Sequence, residues 1–295
     1  MEQTIYIQCG SSLIPFPCMM RQGDKPMELS FRIDLASAYK SRQQKARVLS
    51  EDWVDHEIYC PNCGRLDVAR RSNNSRIGDF FCADCKEEYE VKSLSHPFRA
   101  KIEDGEYRTM MGRLKSASNP NLFLLHYDPS RFSVLNFIVI PKHFFVPEII
   151  EARKPLSQDA RRAGWTGCRI LLRDIPLAGR IYLVRDEVIE PKDQVLTIWR
   201  QTLFLRDQVS GAAKGWILQV MKCIEKIKKP AFTIDELYAF AHDLRIAYPE
   251  NRHIREKMRQ QLQVLRDRGY LEFTGRGTYR LAGTCAGTVK KWRQN

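Results

Sequence analysis

Apolar positions fall into two regimes along this chain. In the first two thirds, short apolar runs alternate with stretches of helical spacing. Between residues 33 and 54, Leu35, Ala36, Tyr39, Ala46, Val48 and Trp53 recur at intervals compatible with a helix. A cysteine-rich segment from Cys60 to Cys85 follows. Alternation around Tyr89 and Val91 then predicts a short strand, and helical spacing returns across 107–114. Apolar runs at 122–125, 137–140 and 181–184 predict buried strands. Strands interleaved with helices imply a mixed α/β core.

The pattern changes after a stretch holding Ser210, Gly211, Ala212, Ala213 and Gly215, which reads as a hinge across 206–215. Beyond it, Trp216, Val220, Cys223 and Ile227 mark an amphipathic helix. Thr233 and Glu236 form a capping box for a second helix carrying Leu237, Phe240, Ala241 and Leu244. Asn251 is placed to cap a third, whose buried stripe is Ile254, Met258, Leu262 and Leu265. Segments 271–273 and 278–281 flank Gly275, Arg276 and Gly277 as a hairpin. Three helices followed by a hairpin is the order of a winged helix. The expected divisions are an N-terminal extension (1–26), non-native or disordered, an α/β domain (27–208), an α+β winged-helix domain (209–282) and a tail (283–295). The extension has no clear periodicity, and Met19, Met20 and Met27 offer later starts.

A length of 295 residues suits two domains, and 43% apolar with 28% charged residues excludes wholesale disorder. No apolar run approaches a membrane span. The apolar stretch from Leu13 to Met20 is broken by Pro15 and Pro17 and has no basic region before it, so no signal peptide is expected and the cytoplasm is the expected location. Lys and Arg number 48 against 35 Asp and Glu, a formal charge of +13 that favours a polyanionic partner. Residues 216–295 hold 16 basic and 8 acidic residues, a net of +8. Within them Arg252, Arg255, Arg259, Gln263 and Arg266 recur at steps of three or four, clear of the apolar stripe. Such a helix can set guanidinium forks and amides against base edges in a major groove, with Arg276 at the hairpin tip meeting a phosphate or the minor groove. A solvated face explains a charged stripe alone. Stripe, element order and local charge together favour DNA over RNA or a protein partner.

Nine cysteines without an export signal point to metal binding rather than disulfides. Cys60, Cys63, Cys82 and Cys85 have the spacing C-x2-C-x18-C-x2-C, two knuckles that can complete a tetrahedron of thiolates around structural Zn²⁺. Iron–sulfur ligation is a less expected alternative, and a redox dithiol would explain only one pair. Cys9, Cys18, Cys168, Cys223 and Cys285 lack such partners and read as core or surface thiols.

Asp79 precedes Cys82 by three residues, and Glu90 and Lys92 follow Cys85 on the predicted strand. Alternation sends Tyr89 and Val91 inward and sets Glu90 beside Lys92 on the other face. Two carboxylates can hold a hard divalent cation such as Mg²⁺ against a phosphodiester while an ammonium orients or helps deprotonate water. An acid followed by Glu-x-Lys also occurs by chance on solvated strands. Anchoring by the knuckles, the α/β core and the basic module raise its weight. Glu51, Glu57 and Glu88 are further acids among which nothing decides.

This set resembles the PD-(D/E)xK nuclease superfamily, and within it the DpnI-like methyl-directed restriction endonucleases. The similar stretches are QKARVLSEDWV, YCPNCG, DFFCADCKEEYEVKS, RRAGWTGC, IREKMRQQLQVLRD and GRGTYR, spread from Met27 to Leu281. The resemblance implies a nuclease core with an embedded four-cysteine zinc site and a winged-helix DNA reader. It implies a type II site-specific deoxyribonuclease with catalytic Asp79, Glu90 and Lys92, Mg²⁺ on Asp79 and Glu90, and zinc on Cys60, Cys63, Cys82 and Cys85. The implied partner is duplex DNA bearing N6-methyladenine in GATC, bound by a monomer with no obligate protein partner. Where the superfamily has Pro before the first acid, this chain has Gly78, so an altered local turn is expected. Arg161 and Arg162 are assigned to phosphates. Trp165 is the candidate contact to a methyl group, with a core role for it weighed equally. The rival readings are a non-catalytic zinc-ribbon and winged-helix regulator and, more distantly, an RNA-processing nuclease.

Overall fold

The computed structural model describes residues 26–71, 78–207 and 211–282, together with the backbone of a short hairpin, β1 (Tyr6–Cys9) with β2 (Ser12–Pro15). The expected extension, apart from that hairpin, and the tail lie outside the described residues, as do Cys18 and Cys285. Of Cys9 only the backbone is described.

The chain continues through α1 (Arg42–Glu57), β3 (Ala69–Arg70), β4 (Phe80–Phe81), β5 (Glu88–Leu94), β6 (Ile102–Glu106), α2 (Tyr107–Lys115), β7 (Asn121–Asp128), β8 (Ser133–Ile140), β9 (Ile150–Ala152), β10 (Gly167–Ile170), β11 (Ile181–Arg185), β12 (Val188–Ile189) and α3 (Lys192–Thr202). Seven of these strands form one sheet in the order β12-β11-β8-β7-β5-β4-β3, in which β5 and β7 run parallel and every other pair antiparallel. The continuous apolar run of β7 follows from its central place, because both faces are covered. Leu122 and Leu124 enter one core, with Met110 of α2 and Ile170 of β10. Phe123 and Leu125 enter the other, with Leu49, Trp53 and Val54 of α1 and Trp199 of α3. A second sheet, β6-β10-β9, lies on the α2 side.

The carboxyl-terminal part comprises α4 (Gly211–Ile227), β13 (Ala231–Thr233), α5 (Ile234–Tyr238), α6 (Ala241–Ala247), α7 (Ile254–Asp267), β14 (Leu271–Gly275) and β15 (Thr278–Leu281), with β15 central in a three-stranded sheet. Ile254, Met258, Leu262 and Leu265 are all buried, as their spacing predicts. The Thr233–Glu236 capping box is present in both directions.

Four local expectations are corrected. The stretch from Gly211 to Gly215 is the first turn of α4, while 208–210 lie outside the described residues. Residues 33–54 split into a 3-10 turn (Ile33–Ala36) and α1, and Ile33, Leu35 and Tyr39 are exposed rather than continuing the face that buries Trp53. The helix after Thr233 breaks at Ala239 and Phe240 into α5 and α6. Asn251 accepts the His253 N–H at 2.8 Å in the turn before α7, which leaves His253 as the cap and puts Arg252 ahead of the helix.

Candidate active site

The two cysteine pairs adopt the same local fold. Gly64 N–H donates to the Cys60 carbonyl at 2.8 Å and Lys86 N–H to the Cys82 carbonyl at 3.0 Å, with Gly64 and Lys86 both at positive φ. The sulfurs of Cys60 and Cys85 lie 3.5 Å apart and those of Cys63 and Cys82 3.6 Å, all four within 4.8 Å of one another. A tetrahedral zinc site with bonds of about 2.3 Å requires sulfurs about 3.8 Å apart, so this donor set fits such an ion. Cys60 and Cys82 are buried, Cys85 partly so and Cys63 exposed. Burial raises the Cys60 thiol above its ordinary value. At Cys85 the same effect is outweighed by hydrogen bonds from the Asn62 side chain and the Glu87 backbone, and its pKa falls. The four-cysteine cluster can hold a metal such as zinc.

The second knuckle is also the turn between β4 and β5, and its length sets their register, Phe80 opposite Tyr89 and Phe81 opposite Glu88. Asp79, one residue before β4, is thereby held between β5 and the end of β3. Its N–H donates to the Tyr89 carbonyl, its carbonyl accepts from Arg71 N–H and its Oδ2 accepts from Val91 N–H, each at 2.8 Å. Along β5, Tyr89 is fully buried and its hydroxyl lies 3.1 Å from the Cys60 sulfur. Glu90 and Lys92 share the opposite face, Nζ 3.2 Å from Oε1.

A polar cleft of about 320 Å³ is lined by Gly78, Asp79, Glu90, Asp104, Gly105, Glu106, Thr109, Met110 and Arg113. The structure thus brings Asp79 and Glu90 to one cavity, with Lys92 against its wall. Asp104 and Arg113 are residues that sequence reasoning missed: Lys92 Nζ lies 2.7 Å from Asp104 Oδ1, and Arg113 Nη1 3.4 Å from Glu90 Oε2. Burial alone would lower the Lys92 pKa, but the Asp104 and Glu90 carboxylates outweigh it and the pKa is raised. The amine therefore rests as an ammonium. Of the further acids, Glu51 pairs with Arg70 and Arg47, Glu57 accepts the Glu28 N–H, and Glu88 pairs with Arg71; none lines the cleft.

Comparison with known families bears on the whole chain. A family of DpnI type, described as the Dam-replacing family, matches residues 27–208, and the Dam-replacing HTH domain matches residues 212–281. The chain belongs to the Dam-replacing family. That membership makes it a DNA-binding protein of a restriction-endonuclease family, whose second domain is a helix-turn-helix module.

In this member of the Dam-replacing family the predicted DNA-facing side chains form two groups. Arg255, Arg259, Gln263 and Arg266 are exposed on α7, with Arg252 just before it and Arg276 at the turn between β14 and β15. Arg255 lies over the Tyr238 ring and Arg266 pairs with Asp267. Arg161 and Arg162 are exposed on the loop between β9 and β10. Trp165 is half-buried, under the Arg162 guanidinium, and a Cβ at Gly167 would come within 2.9 Å of its ring. It is therefore outside the main cores. Cys168 and Cys223 are buried, as core thiols should be. Among the described residues no helix is long and apolar enough to cross a membrane.

Proposed function

We propose that this chain is a Mg²⁺-dependent endonuclease that hydrolyses phosphodiester bonds of duplex DNA at GATC sites carrying N6-methyladenine. The observation that supports it most is the meeting of Asp79 and Glu90 in one polar cleft with Lys92 against its wall, on a hairpin whose register is set by the cysteine knuckle. Carboxylate oxygens facing a polar cleft are hard donors and fit Mg²⁺, whereas four thiolates fit zinc. A divalent ion on Asp79 and Glu90 would polarise the scissile phosphate and make water a better nucleophile.

The chain's own residues do the rest. Val91 N–H commits one Asp79 oxygen and thereby fixes the carboxylate plane before substrate arrives. Lys92, already an ammonium, donates to the incoming water or to a phosphate oxygen and offsets the charge that develops in the transition state. Arg113 adds a second cation to the same wall.

Methyl dependence follows from two readers. One methyl group in an apolar pocket discriminates by only about 1–3 kcal/mol, so a single test would leak onto unmethylated sites. In this proposal Trp165 tests the site from the catalytic domain, while Arg161 and Arg162 hold the phosphates. Arg252, Arg255, Arg259, Gln263 and Arg276 test it again from the winged helix, and the two selectivities multiply.

The experiment is incubation of methylated and unmethylated plasmid with the protein and Mg²⁺. Cutting of the methylated form alone is expected. Equal cutting of both would remove the methyl dependence, and methyl-sensitive binding without nicking would leave a non-catalytic regulator.

A further inference from the structure

We propose that Asp104 is the positioning residue for Lys92, holding the ammonium at the cleft wall when Glu90 gives its oxygens to a cation. The inference rests on the endonuclease reading above and assigns a role within that site.

Glu90 is engaged on both sides, by Lys92 at 3.2 Å on Oε1 and by Arg113 at 3.4 Å on Oε2. A divalent ion on the same oxygens would draw on their charge and weaken their hold on Lys92 and Arg113. Of the two carboxylates against Lys92 Nζ, Asp104 is the nearer at 2.7 Å; it lines the same cleft, but the proposed cation site rests on Asp79 and Glu90 and leaves it to the ammonium. The Asp104 side chain is only 8% exposed, and Gly105 N–H donates to the same Oδ1 at 2.7 Å, so the oxygen has a fixed place. Asp104 is also independent of the catalytic strand. It sits on β6, in the sheet β6-β10-β9, whereas Glu90 and Lys92 share β5. A movement of Glu90 therefore leaves the second anchor in place. A half-buried ammonium without a counter-charge is costly and would swing toward water, away from the reacting phosphate.

The test uses the full chain as wild type, Asp104→Asn and Asp104→Glu. Lys92 acetylation by an N-hydroxysuccinimide ester is read by mass spectrometry in zinc-loaded protein at saturating Mg²⁺, Mg²⁺ binding by calorimetry, and cleavage of methylated duplex under single turnover. For Asp104→Asn, Lys92 labelling should rise several-fold while other lysines are unchanged. Mg²⁺ affinity should be retained, and cleavage should slow about 10²-fold with unchanged affinity for DNA. Asp104→Glu should restore part of the rate and of the protection. Unchanged Lys92 labelling would overturn the proposal, as would loss of Mg²⁺ binding, which would make Asp104 a ligand. A fall in melting temperature that accounts for the loss of rate in both variants would overturn it too. Labelling and calorimetry do not depend on cleavage. If the wild-type chain cuts no DNA, the endonuclease reading fails by itself while those two measurements still decide whether Asp104 holds Lys92.

Discussion

Gly78 shows how closely one backbone position is tied to the proposed chemistry. Its φ is +60°, and a Cβ there would meet the Tyr89 carbonyl oxygen at 3.0 Å and its nitrogen at 3.3 Å. The left-handed region excludes Pro, whose ring holds φ near −65°. The residue usual before the first acid therefore cannot be accommodated in this turn. Gly78→Ala should cost about 1–2 kcal/mol of stability by thermal melting and reduce cleavage more than DNA binding, because the strain falls on the peptide that carries Asp79. Asp79→Asn separates the two roles of its neighbour. An amide oxygen can still accept from Val91 N–H, so the fold should stand. The lost charge should lower plasmid cleavage by roughly 10²–10³-fold or more, with affinity for methylated duplex in a gel-shift assay unchanged. A variant that still cuts at a wild-type rate would remove Asp79 from the mechanism.

At the scale of elements, the cysteine knuckle and the catalytic hairpin are one object. Cys82 and Cys85 make the turn that pairs Phe80 with Tyr89, and Tyr89 reaches Cys60 with its hydroxyl while its carbonyl holds Asp79 N–H. Cys82→Ser should therefore abolish stoichiometric zinc binding, measured by elemental analysis, and weaken Mg²⁺ binding at a site that contains no sulfur. Normal Mg²⁺ affinity in the zinc-free variant would show that the hairpin keeps its register unaided. The same locality explains what was legible in the sequence. The cysteine spacing, the alternation at Tyr89 to Lys92 and the buried stripe of α7 are patterns within one turn, strand or helix, and all three appear in the structure. Asp104 was not legible. It reaches Lys92 from a strand paired with β10, more than sixty residues further on, and no periodicity marks an acid next to Gly105. Gly211 to Gly215 misled for a different reason. Small residues read as a flexible hinge, yet a Cβ at Gly215 would stand 3.1 Å from the Glu148 carboxylate, so at that position smallness permits a close approach of α4 to the catalytic domain.

That approach makes the whole molecule a continuous structure rather than two modules on a tether. One apolar core runs from the β7 and β8 side of the large sheet into α4 and α7. Polar contacts stitch the same seam. Lys222 of α4 pairs with Asp174 at 2.6 Å, and Glu225 accepts the Leu177 N–H at 2.7 Å, near Arg180. Burial pushes the Glu225 carboxyl up to about 7, against the opposing pull of Leu177 N–H, Arg180 and Lys222. The folded chain thus binds this proton more tightly than the unfolded chain. The corresponding stability is full below the ordinary carboxylate pKa and drains away as pH rises through about 7. Between pH 6 and pH 8 the loss should be about 1 kcal/mol, a few degrees in melting temperature. Glu225→Gln keeps an oxygen for Leu177 N–H and carries no charge, so its melting temperature should exceed that of the wild type by more at pH 8 than at pH 6. An equal difference at both values would mean that Glu225 does not titrate in this range.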